Sequence, residues 1–257
     1  MANKVVHLPI VQPYEAGLGN TLRKDNWWVG TFITFLVLAS FVVYATYRAF
    51  EGQFYQVGPY LSPLASPYFE TKGLGIPFVT PAILILPFPG LFRFTCYYYR
   101  KAYYRSFAFS PPGCAVGAAR PGKYNGERKL LLFQNLHRFA LYAALLFLFF
   151  LWHDFIKSLS FEGKFHLGVG SLVILANCTF LSLYTISCHS FRHLIGGNVN
   201  SYSEAPLGMF RHKAWGFISK LNGNHMGFAW VSLFGVALCD FYIRSVASHA
   251  ITDLRII

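Results

Sequence analysis

The sequence contains few charged residues. Aspartate, glutamate, lysine and arginine make up 12% of the 257 residues, whereas an ordinary soluble domain is about one quarter charged. Acidic side chains are the scarcest, with 10 against 22 lysines and arginines, and the formal net charge is +12. Apolar residues make up 54% and occur in blocks long enough to cross a bilayer. These features exclude an ordinary soluble domain and predict an all-α integral membrane protein.

The motifs of common soluble enzymes are also missing. The sequence has no Walker A loop, no GxGxxG after a strand, no HExxH and no Ser/His/Asp context. The polar, mixed N-terminal segment does not have the pattern of a cleaved signal peptide. Five cysteines are an odd number without an extracellular framework, so disulfides are not expected by default. No internal repeat is visible, which disfavours a transporter built from inverted repeats.

The apolar blocks predict a bundle of five transmembrane helices. A cytoplasmic segment, residues 1–26, precedes the membrane domain, residues 27–250, and a short tail, residues 251–257, follows it. We expect the second span to be irregular, because Pro81, Pro87 and Pro89 each remove a backbone donor and crowd the preceding turn. The polar stretch between the last two spans is expected to be a loop. The predicted spans are approximately residues 27–48, 78–99, 129–157, 166–193 and 222–250.

The cationic residues predict the orientation. Sixteen of the 22 lysines and arginines lie on the same side of these spans as the N-terminus. Positive residues favour the cytoplasmic side, so the N-terminus is expected inside the cell and the C-terminus outside. The net charge is therefore a topology signal, and no nucleic-acid partner is expected.

Cysteines and histidines gather on the predicted inner side. Cys96 and Cys114 flank a segment rich in tyrosine, lysine and arginine, which is typical of a membrane–water interface. His189 and His193 are four residues apart and share one helix face, and His137 and His225 lie at similar depth. Two cysteines with two histidines could bind a Rieske-type cluster or zinc. Histidine pairs such as His137 with His225 could instead hold haem b.

Structural roles explain the same residues equally well. Buried histidines often form hydrogen bonds within a bundle, and cysteines are often small apolar residues, as we expect for Cys178 and Cys239. Asp240 lies in the fifth span, where a carboxylate is costly to bury. It is either a functional residue or the partner of a buried cation or of another helix.

Several motifs resemble one family of membrane proteins. RFTCYYYRKAYYRSF with SPPGCAV, then QNLHR, CHSFRH, SKLNGNHMGFAW and DFYIRS, are similar to the membrane anchor subunit of bacterial succinate dehydrogenases and fumarate reductases (respiratory complex II), of the cytochrome b-like, five-span single-anchor type found in actinobacteria. The resemblance covers roughly residues 90 to 257, and the first ninety residues carry little of it.

The resemblance implies a subunit of a succinate:quinone oxidoreductase in the bacterial cytoplasmic membrane. Such an anchor binds a flavoprotein subunit and an iron–sulfur subunit on the cytoplasmic face, and passes electrons from succinate to a quinone among the membrane lipids. Better-known anchors carry haem b on evenly placed histidines. This sequence lacks that spacing and adds paired cysteines, so a Rieske-type [2Fe-2S] cluster is the preferred cofactor. The alternatives are a haem b-bearing cytochrome b anchor of the same complex and a cofactor-free structural anchor or transporter.

Site residues follow from the resemblance and from the chemistry. The ligand candidates carried over are Cys96, Cys114, His189 and His193, with His137 and His225 as substitutes. A quinone head needs hydrogen-bond donors for its carbonyl oxygens beside an apolar slot. The candidates for that role at the inner interface are His225, Arg138 and Tyr98.

Overall fold

A computed structural model describes residues 17–71, 79–119 and 126–256, with the backbone alone for residues 126–134. The predicted segment 1–26 therefore lies mostly outside the described residues. Two short antiparallel hairpins, β1 (Gln56–Val57) with β2 (Tyr60–Leu61) and β3 (Ser160–Phe161) with β4 (Lys164–Phe165), interrupt a helical chain. The helices are α1 (Trp27–Glu51), α2 (Pro81–Ile85), α3 (Pro87–Thr95), α4 (Tyr97–Ser106), α5 (Gly126–Ser158), α6 (Val169–Ile186), α7 (His189–Arg192), α8 (Gly208–Asn222) and α9 (His225–Ala247).

Four helical segments in the described chain are long and apolar enough to cross a membrane. They are Trp27–Glu51, Asn135–Ser158, Val169–Ile186 and His225–Ala247. The chain is thus a mostly helical, multi-pass membrane protein, as its composition predicts. The predicted second span is a shorter apolar run, Pro81–Thr95. It is broken at Leu86, because Pro87 begins a new helix there, and its first helix is capped by the Thr80 side chain.

Two span ends and one connecting segment differ from the sequence-based prediction. The second and fourth predicted spans stop early, because the backbone becomes extended at Cys96 (φ −61°, ψ 130°) and at Cys188 (φ −63°, ψ 143°). The stretch between the last two spans is not a simple polar loop, since it contains a π-helical turn, His193–Gly197, and the helix α8. Neither break has a proline beside it, so the usual helix-breaking signal is missing at both.

The helices pack as a bundle in which α6 contacts α9 and α5, and α3 contacts α5. Small residues allow close approach at these contacts, as at Gly235 on α9, where a Cβ atom would lie 3.1 Å from the Phe180 ring of α6. We call the end of the bundle that contains Cys96, Cys188, His137 and His225 the thiol end. The end that contains Glu51, Asp240 and Asp253 is the carboxylate end.

A buried ion network joins α9 to α1 near the carboxylate end. Asp240 is fully buried and accepts hydrogen bonds from Arg244 Nε (2.8 Å) and Tyr44 (2.6 Å), and also from Ser62. Arg244 in turn donates to Glu51 (2.8 Å). Asp240 is therefore the partner of a buried cation and of two neighbouring segments, which favours the structural interpretation of this residue.

The C-terminal segment is attached to the same end. Asp253 accepts hydrogen bonds from the Gly170 N–H (2.9 Å), the Tyr242 hydroxyl (2.6 Å) and the Tyr60 hydroxyl (2.7 Å). The His166 ring nitrogen lies 2.8 Å from the same Tyr60 oxygen. Since Tyr60 has one hydroxyl hydrogen and a carboxylate only accepts, His166 donates to Tyr60. The tail predicted at 251–257 is thus held in place over its described residues.

Candidate functional site

Two cysteines and two histidines converge at the thiol end from four separate places in the chain. The sulfur of Cys96 lies 3.6 Å from Nε2 of His225. The sulfur of Cys188 lies 3.1 Å from Nε2 of His137. We call these four residues the Cys–His cluster. It joins the ends of α3 and α6 to side chains on α5 and α9.

Helix breaks place the two thiols. Cys96 and Cys188 each stand between one helix and the next in extended conformation, so each thiol projects from a junction and not from a helix face. Each follows a hydroxyl residue: Thr95 Oγ1 lies 2.9 Å from Nδ1 of His137, and Ser187 Oγ lies 2.8 Å from Nδ1 of His225. Each imidazole therefore contacts a hydroxyl from one junction and a thiol from the other.

Aromatic rings enclose the cluster. The Phe92 ring stacks on His137 with a centroid distance of 4.7 Å, and the Tyr184 ring stacks on His225 at 5.1 Å. Phe92 and Tyr184 also contact each other edge to face at 5.4 Å. Cys96, Cys188 and His137 are 3%, 2% and 7% exposed. His225 is only half-buried, so the site is largely shielded from solvent and brings two thiols into contact with two imidazoles.

One polar atom beside the cluster has no partner. Tyr184 is 1% exposed, and its hydroxyl makes no hydrogen bond in the described part of the protein. The Tyr184 hydroxyl interacts electrostatically with Cys96. A buried hydroxyl without a partner costs about 1–3 kcal/mol, so an acceptor placed between these side chains would remove a real penalty. This orphaned donor is what a cluster with sulfur acceptors would satisfy.

The sequence-predicted ligands are only partly brought together. Cys96 belongs to the cluster, and so do both substitutes, His137 and His225. Cys114 is exposed, and its sulfur contacts Arg105 at 3.6 Å. His189 and His193 lie on α7 and the π-helical turn. Over the described residues, no three side chains of His, Cys, Asp or Glu surround one point closely enough to hold a single metal ion.

The three candidates for the quinone site also lie in different surroundings. Tyr98 lines a cavity of about 350 Å³ at the thiol end, whereas Arg138 is exposed on α5 and His225 points at Cys96. Basic and apolar side chains both line the cavity. One lining residue is Met226, which follows the cluster residue His225 in the chain. Its other lining residues include Arg23, Lys101, Arg105, Trp27, Thr31, Pro112 and Cys114. A larger cavity of about 630 Å³ lies at the carboxylate end, beside Tyr60, His153 and Asp154.

Sequence reasoning missed Cys188 and the residues that surround the cluster. Cys188 lies inside the CHSFRH motif. The prediction instead took His189 and His193 of that motif as ligands, because residues four apart share one helix face. The available signal was the hydroxyl–cysteine dipeptide, which occurs as Thr95–Cys96 and again as Ser187–Cys188. Arg93 was also missed; its guanidinium lies over the Tyr184 ring at 4.8 Å and donates to the Tyr99 hydroxyl.

Known proteins are similar to this chain over most of its length. The family model for the actinobacterial succinate dehydrogenase subunit SdhC matches residues 29–249. Among solved structures, a chain of the Mycobacterium smegmatis Sdh1 complex in the apo form is similar, with a TM-score of 0.84 and 42% sequence identity. That match covers 95% of this chain and 97% of the other. No curated protein matches the chain.

Proposed function

Because the chain belongs to the family of the actinobacterial succinate dehydrogenase subunit SdhC, and is therefore a membrane subunit of succinate dehydrogenase, we propose that it relays electrons to a membrane quinone through a Rieske-type [2Fe-2S] cluster. The residues that would hold the cluster are Cys96, Cys188, His137 and His225. The observation that carries this proposal is the convergence of two thiols and two imidazoles in a buried site.

The donor set fits such a cluster. A Rieske-type centre takes two thiolates on one iron and two imidazoles on the other, and it has a higher reduction potential than an all-cysteine cluster. The cluster would supply one-electron transfer. The protein would supply four ligands, exclude water, and offer the unpaired Tyr184 hydroxyl as a hydrogen-bond donor. A haem b held by two histidines would use no thiol, whereas here a cysteine sulfur lies beside each Nε2 atom.

The Tyr98 cavity is the proposed quinone site. Tyr98 accepts a hydrogen bond from the Trp230 indole (2.6 Å), which leaves its own hydroxyl hydrogen for a quinone carbonyl. Edge-to-face contacts continue inward from Trp230 to Tyr99 (6.2 Å) and from Tyr99 to Tyr184 (6.0 Å), whose ring stacks on His225. A continuous series of aromatic contacts thus links the cavity wall to the cluster.

Two further features belong to the same proposal. The run Pro81–Thr95 forms a fifth, shortened crossing, because Thr80 donates to the Ala49 carbonyl (2.5 Å) near the end of α1 while Cys96 reaches His225 at the thiol end. The thiol end faces the cytoplasm, with the N-terminus inside and the C-terminus outside. The flavoprotein and iron–sulfur subunits bind there, on a surface whose exposed cations, among the described residues, include Lys24, Lys101, Arg138, Lys213 and Lys220.

Cofactor analysis of the purified complex tests the proposal. Iron and acid-labile sulfide should exceed the content of the soluble subunits by two atoms each, without haem absorbance. Electron paramagnetic resonance should show a Rieske-type signal with nitrogen couplings. His137→Ala should abolish that signal, and His189→Ala, the matched histidine outside the cluster, should keep it.

The opposite results are equally clear. Haem absorbance without the extra iron would replace the proposal with a cytochrome b anchor. An assembled complex with neither cofactor and with normal quinone reduction would make the chain a structural anchor. Loss of the signal in His189→Ala but not in His137→Ala would return the ligand set to the residues of α7.

A further inference from the structure

The hydrogen bonds of Thr95 determine which nitrogen of His137 carries its proton. Thr95 Oγ1 lies 2.7 Å from the Leu91 carbonyl oxygen and 2.9 Å from Nδ1 of His137. A carbonyl only accepts, and a hydroxyl has one hydrogen. The hydroxyl hydrogen therefore goes to Leu91, and the Thr95 oxygen accepts from Nδ1–H. Nε2 of His137 is left with its lone pair directed at Cys188.

The second histidine repeats this logic through Ser187. Ser187 Oγ donates to the Tyr184 carbonyl (3.1 Å) and lies 2.8 Å from Nδ1 of His225. The serine oxygen therefore accepts from Nδ1–H, and Nε2 of His225 presents its lone pair to Cys96. The Asn222 side chain donates to the Ser187 carbonyl at 2.7 Å, which fixes this junction further.

We propose that Thr95 and Ser187 are positioning residues, each of which locks one imidazole of the Cys–His cluster in the Nδ1–H tautomer, so that each ring keeps Nε2 unprotonated and available as a ligand. This inference deepens the proposed function and rests on it. A metal binds the nitrogen that carries no proton, and the hydrogen bond made by the other nitrogen sets tautomer and ring orientation. The arrangement is crossed. Thr95 precedes Cys96 in the chain but contacts the histidine that lies beside Cys188. Ser187 precedes Cys188 but contacts the histidine that lies beside Cys96.

A structural role alone does not explain the pattern. Thr179 makes the same backbone contact, from its hydroxyl to the carbonyl four residues earlier (2.9 Å), and that bond needs no histidine. Thr95 and Ser187 each make such a local bond and in addition contact an imidazole. Thr179→Val is therefore the matched control for the loss of a threonine hydroxyl on a helix.

The test uses the assembled complex and three variants of the histidine partners: Thr95→Val, Thr95→Ser and Ser187→Ala. Outer-shell partners typically change metal affinity by about 10- to 100-fold, so Thr95→Val and Ser187→Ala should lose the anchor's iron to a chelator about tenfold faster or more. Nitrogen couplings measured by electron–nuclear double resonance should change for one histidine in each variant, and the midpoint potential should shift. Thr95→Ser should restore all three properties.

Each failure has its own meaning. Unchanged couplings, potential and chelator rate in Thr95→Val and Ser187→Ala would overturn the positioning role. Equal changes in Thr179→Val would assign the effect to helix packing and would also overturn it. Absence of any nitrogen-coupled cluster in the wild-type complex would overturn the proposed function itself. If Thr95→Val fails to assemble, Ser187→Ala and Thr95→Ser still decide the question.

Discussion

The indole nitrogen of Trp230 lies 2.6 Å from the hydroxyl oxygen of Tyr98, so the tyrosine oxygen acts as an acceptor and its hydrogen is directed elsewhere. The two rings meet at 86° with centroids 6.4 Å apart. This contact fixes a single hydroxyl donor at the wall of the cavity closest to the Cys–His cluster.

Removal of that donor should weaken quinone use selectively. A neutral hydrogen bond contributes about 0.5–1.5 kcal/mol, so Tyr98→Phe should lower kcat/KM for quinone by up to about tenfold, mostly through KM. Succinate oxidation with an artificial acceptor at the flavin should not change. Tyr97→Phe is the control, because Tyr97 is 69% exposed and does not line the cavity. A loss shared by both variants would refute the assignment.

Two of the four buried cysteines, Cys188 and Cys178, are expected to affect the iron content differently when each is replaced by alanine. Cys188→Ala should remove the anchor's extra iron and sulfide, since it deletes a thiol of the cluster. Cys178→Ala should keep both, because the Cys178 thiol is equally buried but only donates to the Leu151 carbonyl at 3.3 Å. Metal analysis of the two purified complexes makes the comparison. Full iron in Cys188→Ala would exclude this residue as a ligand.

The ion network near the carboxylate end should dominate stability. Asp240→Ala leaves Arg244 buried with one carboxylate partner fewer, and breaking a buried pair in this way costs about 3–5 kcal/mol. We expect a large drop in the thermal unfolding midpoint of the detergent-solubilised complex. Asp25→Ala, which breaks an exposed pair with Arg23, should leave the midpoint unchanged. An Asp240→Ala complex with full stability would show that the network contributes little.

The C-terminal attachment should weaken at high pH. Burial, followed by the hydrogen bond to Asp253, raises the pKa of Tyr60 to about 12, against about 10 in an unfolded chain. The neutral form is therefore favoured in the folded state, and this contribution to stability is complete below pH 10 and is lost as the pH rises to 12. Protease cleavage near Asp253 should increase over that range. Tyr60→Phe, which lacks the hydroxyl, should be cleaved at a rate that no longer depends on pH there.

The sequence identifies the helical class of the protein because spanning segments have a strong local signal. The long apolar blocks form helices, and the prolines correctly predict that the second span is irregular; the structure places a break at Leu86, before Pro87. The break at Cys188 has no such signal, because it is produced by contacts with α5 and α9 that are distant in sequence. Helix α8 escaped notice for a related reason: its sequence is too polar to look like a span, although nothing in it prevents a helix.

The sequence predicts which residue types gather at this end of the bundle, cysteine and histidine, but not which individual residues lie together. The presence of thiols and imidazoles at one depth follows from orientation and span length. Which of them meet depends on the rotation of each helix about its axis, and packing sets that rotation. Cys114 and His189 lie at a suitable depth but face away from the bundle, whereas Cys188 is turned inward by the break that precedes α7.

The four donors of the Cys–His cluster are spread over 130 residues of chain, and His225 stands at the start of the final helix. No ribosome-bound intermediate that lacks α9 contains the complete site. Insertion of the proposed cluster is therefore expected only after α9 has been synthesised, and a nascent chain stalled before that point would lack one of the four proposed ligands.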